Sequence, residues 1–92
     1  MITLVIMPRL GETMEEGTVT KWLMREGDEV HKGDYIMEVE TDKSLIPVEA
    51  YGAGIMRKIF LEEGNTVPIG TLLAVIADAD EDISGYTSRP MS

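Results

Sequence analysis

Apolar positions in this chain come in short runs that end at glycine-polar pairs, and none keeps a helical period. Runs rich in Val, Ile, Leu, Thr and Met stop at Gly27-Asp28, Gly33-Asp34, Gly64-Asn65 and Gly70-Thr71, dipeptides that favour turns. The runs predict strands near residues 2–7, 18–24, 35–41, 45–50, 55–61 and 71–77, with short pieces at Val30 and Val67. No stretch sustains the helical spacing of apolar residues, so no helix longer than a turn is expected. Many short strands joined by glycine turns predict an all-β sandwich or flattened barrel.

The pattern also repeats. A shift of about 37 residues, inside the range that signals internal duplication, lays Glu16-Gly17-Thr18-Val19-Thr20-Lys21 over Ala53-Gly54-Ile55-Met56-Arg57-Lys58. The same shift lays Glu26-Gly27-Asp28-Glu29-Val30 over Glu63-Gly64-Asn65-Thr66-Val67, and Gly33-Asp34-Tyr35-Ile36 over Gly70-Thr71-Leu72-Leu73, without a gap. Two units are too few for a solenoid. They suit two similar half-sheets facing each other across a pseudo-two-fold axis. The paired glycines mark turns that need positive φ or close quarters, and no helix follows them to make a phosphate cradle.

From Asp78 onward the chain becomes acidic and then polar. This divides it into a domain at 1–79 and the start of a flexible linker at 80–92. The spacing Asp78-x-Asp80-x-Asp82 resembles a calcium loop, but Ile83 stands where that loop needs glycine and Arg89 where it needs glutamate.

Composition narrows the class. At 92 residues the chain is one domain, and its hydrophobic fraction of 43% supports a small core filled by seven Met and only one Phe. Cysteine is absent, which excludes disulfides and thiolate metal sites. No run has the length of a membrane span, and the first residues lack the features of a signal peptide. The net charge of −9, from 17 acids against 8 bases, argues against nucleic acid and anionic membranes and for a partner with a basic docking face.

Conventional catalytic groups are scarce. His31 has Pro68 as its repeat mate and reads as an exposed turn residue without the positioned partner a general base needs. Trp22, the mate of Ile59, reads as packed, and Ser44 has no base beside it. Lys43 differs. It falls between two predicted strands, at the tip of a hairpin, in Glu40-Thr41-Asp42-Lys43-Ser44. Its repeat mate is Asp80, where strand gives way to tail, so only the first half presents a lysine at a turn. An amine displayed this way reads either as an attachment point or as a solvated charge, the ordinary state of an exposed lysine.

Here the residues resemble a known family. Met7-Pro8-x-Leu10-Gly11-Glu12-Thr13-Met14-Glu15-Glu16-Gly17, then Glu26-Gly27-Asp28-x-Val30-x-Lys32-Gly33-Asp34, then Glu38-Val39-Glu40-Thr41-Asp42-Lys43 and Ala53-Gly54, are similar to the lipoyl domain of the acyltransferase component of 2-oxo acid dehydrogenase complexes. The resemblance spans residues 2–77. It implies a flattened β-barrel of two four-stranded antiparallel sheets, a barrel-sandwich hybrid, with lipoate in amide linkage on Lys43. It implies carriage rather than catalysis. The attached arm would be visited by a thiamine-diphosphate-dependent 2-oxo acid decarboxylase, the acyltransferase core and a flavin-containing dihydrolipoamide dehydrogenase, after loading by a lipoate ligase. Glu40, Thr41, Asp42 and Ser44, with Leu10, Gly11 and Glu12 of the Pro8–Glu16 loop, are the expected recognition surface. The isolated domain is expected to be a monomer in the cytoplasm of a prokaryote rather than in the mitochondrial matrix.

Two positions depart from the family pattern. Pro47 stands where an acidic residue is common and Tyr51 where proline is common. A strand proline requires an edge, a bulge or a strand start. Two relatives of the fold compete. Biotin-carrying domains also modify a hairpin lysine but flank it with methionines, whereas Lys43 has Asp42 and Ser44. An unmodified structural barrel-sandwich module would not require the Asp-Lys turn. Among acyltransferases, the Gly11–Gly17 loop leans towards pyruvate, branched-chain or acetoin complexes and away from 2-oxoglutarate.

Overall fold

A computed structural model describes residues 1–86. Residues 87–92 of the expected linker, Arg89 among them, lie outside that range. Each predicted run forms a strand: β1 (Thr3–Ile6), β2 (Glu16–Trp22), β3 (Glu29–Val30), β4 (Tyr35–Glu40), β5 (Leu45–Glu49), β6 (Gly54–Ile59), β7 (Thr66–Pro68) and β8 (Leu72–Ala77). β2 begins and ends earlier than the local pattern suggests. Glu16 and Gly17 are recruited into it by pairing with Pro68 and Val67 of β7, a contact no local window reveals. Among the described residues no helix is long and apolar enough to cross a membrane.

All strand pairs are antiparallel, in two sheets with the orders β1-β8-β6-β3 and β5-β4-β2-β7. Exchanging β1 with β5, β8 with β4, β6 with β2 and β3 with β7 converts one order into the other. That is the pseudo-two-fold relation expected of the duplication. Even the irregularities obey it. The β2–β4 register slips at Thr20 and the β6–β8 register at its mate Arg57. The β4–β5 register slips at Ile36, and the β1–β8 register at its mate Leu73.

The halves also clamp each other reciprocally. Glu26 accepts a hydrogen bond from the Ile59 N–H at 2.8 Å, and its mate Glu63 accepts one from the Trp22 N–H at 2.7 Å. Between the sheets lie Met7, Ile36, Met37, Met56, Leu73 and Ile76, all essentially without exposure. The unbranched methionines fill the irregular space between unequal strands. Trp22 packs against this core and donates its indole N–H to the Leu61 carbonyl at 2.8 Å.

Pro47 sits in β5, an edge strand, opposite Glu38 of β4. There its missing N–H can face solvent. Tyr51 follows as an exposed side chain. His31 is exposed, with Nδ1 3.6 Å from Asp34 of its own turn. Beyond β8, the Glu81 N–H returns to the Asp78 carbonyl and the Tyr86 N–H to that of Ile83, giving two successive turns. The Arg57 guanidinium donates to the Asp78 and Glu81 carbonyls and holds the first turn against β6.

Candidate functional site: the lysine hairpin

β4 and β5 stay paired as far as Glu40 and Leu45, leaving Thr41–Ser44 to reverse the chain. The Thr41 N–H donates to the Ser44 carbonyl at 2.8 Å and closes a loop whose two central residues are Asp42 and Lys43. Two-residue hairpin loops usually need positive φ, supplied by Gly or Asn. Among the described residues none but glycine has positive φ, so Asp42 and Lys43 do not. The Thr41 hydroxyl meets the demand instead. It accepts from the N–H groups of Lys43 at 3.3 Å and Ser44 at 3.2 Å, and donates to the Ser44 carbonyl at 3.2 Å. Thr41 is half-buried, while Asp42, Lys43 and Ser44 are exposed. No salt bridge involves Lys43 among the described residues.

The loop between β1 and β2 lies against this hairpin. Leu10, Gly11 and Glu12 on one side and Asp42, Lys43 and Ser44 on the other border a groove of about 350 Å³. Thr41 lines it too, so six of the seven predicted recognition residues share one groove with Lys43. Glu40 does not. It lines an adjacent concavity of about 560 Å³ with Glu15, Glu16 and Asp42. Four carboxylates around one hollow make it attractive to cationic side chains.

Three more residues line the groove beside Lys43: Thr13 and Met14, which belong to the expected Pro8–Glu16 loop without being singled out in it, and Ile46, which the sequence does not mark. Met14 borders both hollows. It is 8% exposed, and its sulfur accepts the Leu10 N–H at 3.2 Å. The loop is further shaped by Arg9, whose guanidinium donates to the carbonyls of Glu12 at 3.0 Å and Met14 at 3.2 Å. Nothing in the local pattern announces Arg9. For Met14 there was a signal, an apolar residue in a polar loop three positions before a glycine. Underneath, Gly17 comes so close that an added Cβ would stand 2.7 Å from the Met14 Cε.

Chemically, the hairpin offers one primary amine on a rigid, outward-facing turn. Among the described residues no three His, Cys, Asp or Glu side chains are grouped to hold a metal ion. The arrangement displays a group for modification and surrounds it with a shaped, acidic surface.

A family model described as biotin-requiring enzyme matches residues 3–76. The chain is 48% identical over 89 residues to the dihydrolipoyllysine-residue acetyltransferase component of the pyruvate dehydrogenase complex of Zymomonas mobilis, covering 96% of this chain and 20% of that protein. It is 44% identical over 78 residues to the corresponding component of the acetoin cleaving system of Pseudomonas putida, covering 85% of this chain and 21% of that protein. The chain thus spans about a fifth of the length of these curated relatives. Among solved structures, the lipoyl domain of the 2-oxoglutarate dehydrogenase complex of Azotobacter vinelandii superimposes with a TM-score of 0.68 at 32% identity, over 82% of this chain and 95% of that one. The matched strands, the hairpin and these relatives together place the chain in the biotin- and lipoyl-attachment family, as a lipoyl domain of the acyltransferase type.

Proposed function

We propose that this protein is a lipoyl carrier, holding lipoate in amide linkage on Lys43 and moving acyl groups between the active sites of a 2-oxo acid dehydrogenase complex. One observation carries the reading: Lys43 occupies the two-residue loop of the β4–β5 hairpin, exposed and outside any salt bridge among the described residues. The residues fit the group. An amine without an ion-pair partner among the described residues loses no such contact when amide formation removes its charge, and the exposed side chain is open to a modifying enzyme.

When attached, lipoate supplies a redox-active disulfide ring that carries an acyl group and two reducing equivalents. What the chain itself does is present and identify. The hairpin sets the attachment point. Leu10, Gly11 and Glu12 form the opposite wall of the groove beside it, and Glu40 and Asp42 give visiting enzymes a negative surface to find. Those visitors are a thiamine-diphosphate-dependent decarboxylase, an acyltransferase core and a dihydrolipoamide dehydrogenase, with a lipoate ligase acting first. Tethering raises effective concentration, so weak docking to each suffices. The relatives named for pyruvate dehydrogenase and for acetoin cleavage favour pyruvate or acetoin as the source of the acyl group over 2-oxoglutarate. The bacterial relatives favour a bacterial cytoplasm.

The test is intact mass after co-expression with a lipoate ligase. Wild type gains one lipoyl group and Lys43→Arg gains none. A lipoyl group on Lys43→Arg, or a biotin adduct in place of lipoate on wild type, refutes the reading.

A further inference from the structure

The duplication builds the lysine turn twice, and comparing the two copies isolates what is special about the first. Under the repeat, Thr41, Asp42, Lys43 and Ser44 correspond to Asp78, Ala79, Asp80 and Glu81. In the second copy the Glu81 N–H donates to the Asp78 backbone carbonyl at 3.1 Å, an ordinary reverse turn. The Asp78 N–H is taken by the Glu81 side chain at 2.8 Å. In the first copy the roles of side chain and backbone are exchanged. The Ser44 N–H goes to the Thr41 hydroxyl, and the Thr41 N–H goes to the Ser44 backbone carbonyl.

The exchange has a geometric consequence. With negative φ at both central residues, a backbone carbonyl accepting the Ser44 N–H would make the ordinary turn seen at Asp78–Glu81, whose twist splays flanking strands. The hydroxyl, one side chain away, lets the Thr41 N–H reach the Ser44 carbonyl just beyond the last ladder pair, Glu40 and Leu45, while Asp42 and Lys43 cross over with negative φ. Thr41 also takes the Lys43 N–H itself. The backbone of the modified residue is therefore held by the side chain two positions before it, a local turn of the kind that Ser, Thr, Asn and Asp side chains make.

We infer that Thr41 is the positioning residue for attachment at Lys43: its hydroxyl, by accepting the amides of Lys43 and Ser44, presets the turn that a lipoate ligase must find. This inference rests on Lys43 being the modified residue. It reassigns Thr41 from a surface read by partners to a strut turned inward on its own backbone, consistent with its being half-buried while its three successors are exposed.

The experiment measures lipoyl transfer by purified lipoate ligase, with ATP and lipoate, to wild type, Thr41→Val, Thr41→Ser and Thr41→Asn, followed by intact mass. Amide hydrogen exchange is recorded on each unmodified protein. Thr41→Val, which keeps shape and loses the acceptor, is expected to lower kcat/KM for transfer by about tenfold, the worth of roughly one to two hydrogen bonds. In the same protein the Lys43 and Ser44 amides exchange faster while those of β2, β4 and β8 do not change. Thr41→Ser restores both. Thr41→Asn, whose side-chain carbonyl can take the same two amides, recovers most of the rate and tests the acceptor even if the valine variant folds poorly. Wild-type rates in Thr41→Val, or a valine-like loss in Thr41→Asn with normal protection of the two amides, overturn the inference. Failure of wild type to gain lipoate would instead count against Lys43 as the carrier.

Discussion

Gly17 and Gly54 are repeat mates, yet the structure requires glycine at each for a different reason, and alanine at the two positions should fail differently. At Gly17 an added Cβ would meet Met14 Cε at 2.7 Å, Met7 Sδ at 2.8 Å and Val39 Cγ1 at 3.0 Å. Ordinary carbon contacts lie near 3.5–4.0 Å, so each neighbour must retreat by roughly 0.5–1 Å. Two of the three are the ends of flexible methionines. However, Met7 and Val39 are 1% and 0% exposed and have no void to enter. The relief must come from Met14 and the loop it anchors. Overpacking of this kind costs about 1–3 kcal/mol, and about 2 is expected for Gly17→Ala. At Gly54 the Cβ would lie 3.0 Å from the Ala77 carbonyl oxygen, with φ at +152°. That carbonyl belongs to β8, an interior strand that cannot move aside. A strained φ adds about 1–3 kcal/mol to the clash, so Gly54→Ala should cost about 4 kcal/mol. The assay is urea unfolding followed by fluorescence of Trp22, the only tryptophan. The decisive variant is Met14→Leu, nearly volume-conserving but without an atom at the Cε position. In that background the cost of Gly17→Ala should fall by about half, while that of Gly54→Ala stays constant, as expected of sites that share no neighbour. Gly11→Ala, with nothing within 4 Å, should be close to neutral. Equal costs at the two sites, or no rescue by Met14→Leu, would refute the close-approach account of Gly17.

Two further outcomes follow from the charges. Reductive acylation of the lipoylated domain by its cognate decarboxylase should slow in Glu40→Gln and lose its salt dependence in part, because a rim charge acts mainly on the association rate and is screened by salt; a rate indifferent to both changes would return Glu40 to the role of a solubilising charge. At the opposite end of the duplication, the Met1 ammonium lies 2.8 Å from Glu81 and 3.3 Å from Asp78. The ammonium, and then the Asp78 N–H, hold the Glu81 carboxyl below its usual 4.5, while Glu81 and then Asp78 hold the ammonium above its usual 8.0. A depressed acid stabilises above its unfolded pKa and a raised amine below its own, so this contact contributes between about pH 4.5 and pH 8.0 and fades outside that window; Glu81→Gln should flatten both limbs of a thermal-midpoint profile, and an unchanged profile would show the contact to be idle.

β2, β3 and β4 were legible because glycine turns punctuate them and the repeat writes each again as β6, β7 and β8. β3 and β7, at two and three residues, were visible only as Val30 and Val67, since a strand that short carries no alternation. The slips at Ile36 and Leu73 were not legible. Each inserts one residue into an otherwise regular ladder, and β8, an interior strand, is in addition buried without a break from Leu73 to Ala77, so it carries no polar alternation to read. At the site, Lys43 was legible because the second half has Asp80 in its place. The neighbourhood was legible only in part. Leu10, Gly11 and Glu12 reach the hairpin across a sequence distance that local pattern does not span, and they were found through resemblance. Arg9 and Ile46 carry no sign of their role, and Met14 only that of an apolar residue in a polar loop, because what they do depends on which carbonyls and sulfur the folded loop happens to bring together.

Duplication explains why a symmetric fold carries one attachment point. The pseudo-two-fold axis gives both halves a four-residue turn at the same place, after β4 in one and after β8 in the other. In the first half the chain must continue into β5, the edge strand of the same sheet. The turn there has to keep its ends in the ladder, which throws its middle residues outward. In the second half the corresponding edge strand is β1, already made at the start of the chain. That turn is therefore released from closing a hairpin and is instead pulled against β6 by Arg57. A lysine at position 80 in place of the aspartate would stand on a turn that leaves the sheet, with the Asp78 carboxylate rather than a hydroxyl like that of Thr41 behind it. The uniqueness of Lys43 thus lies in chain connectivity first and residue identity second: the fold makes one tight hairpin at this place, and the sequence puts its lysine there.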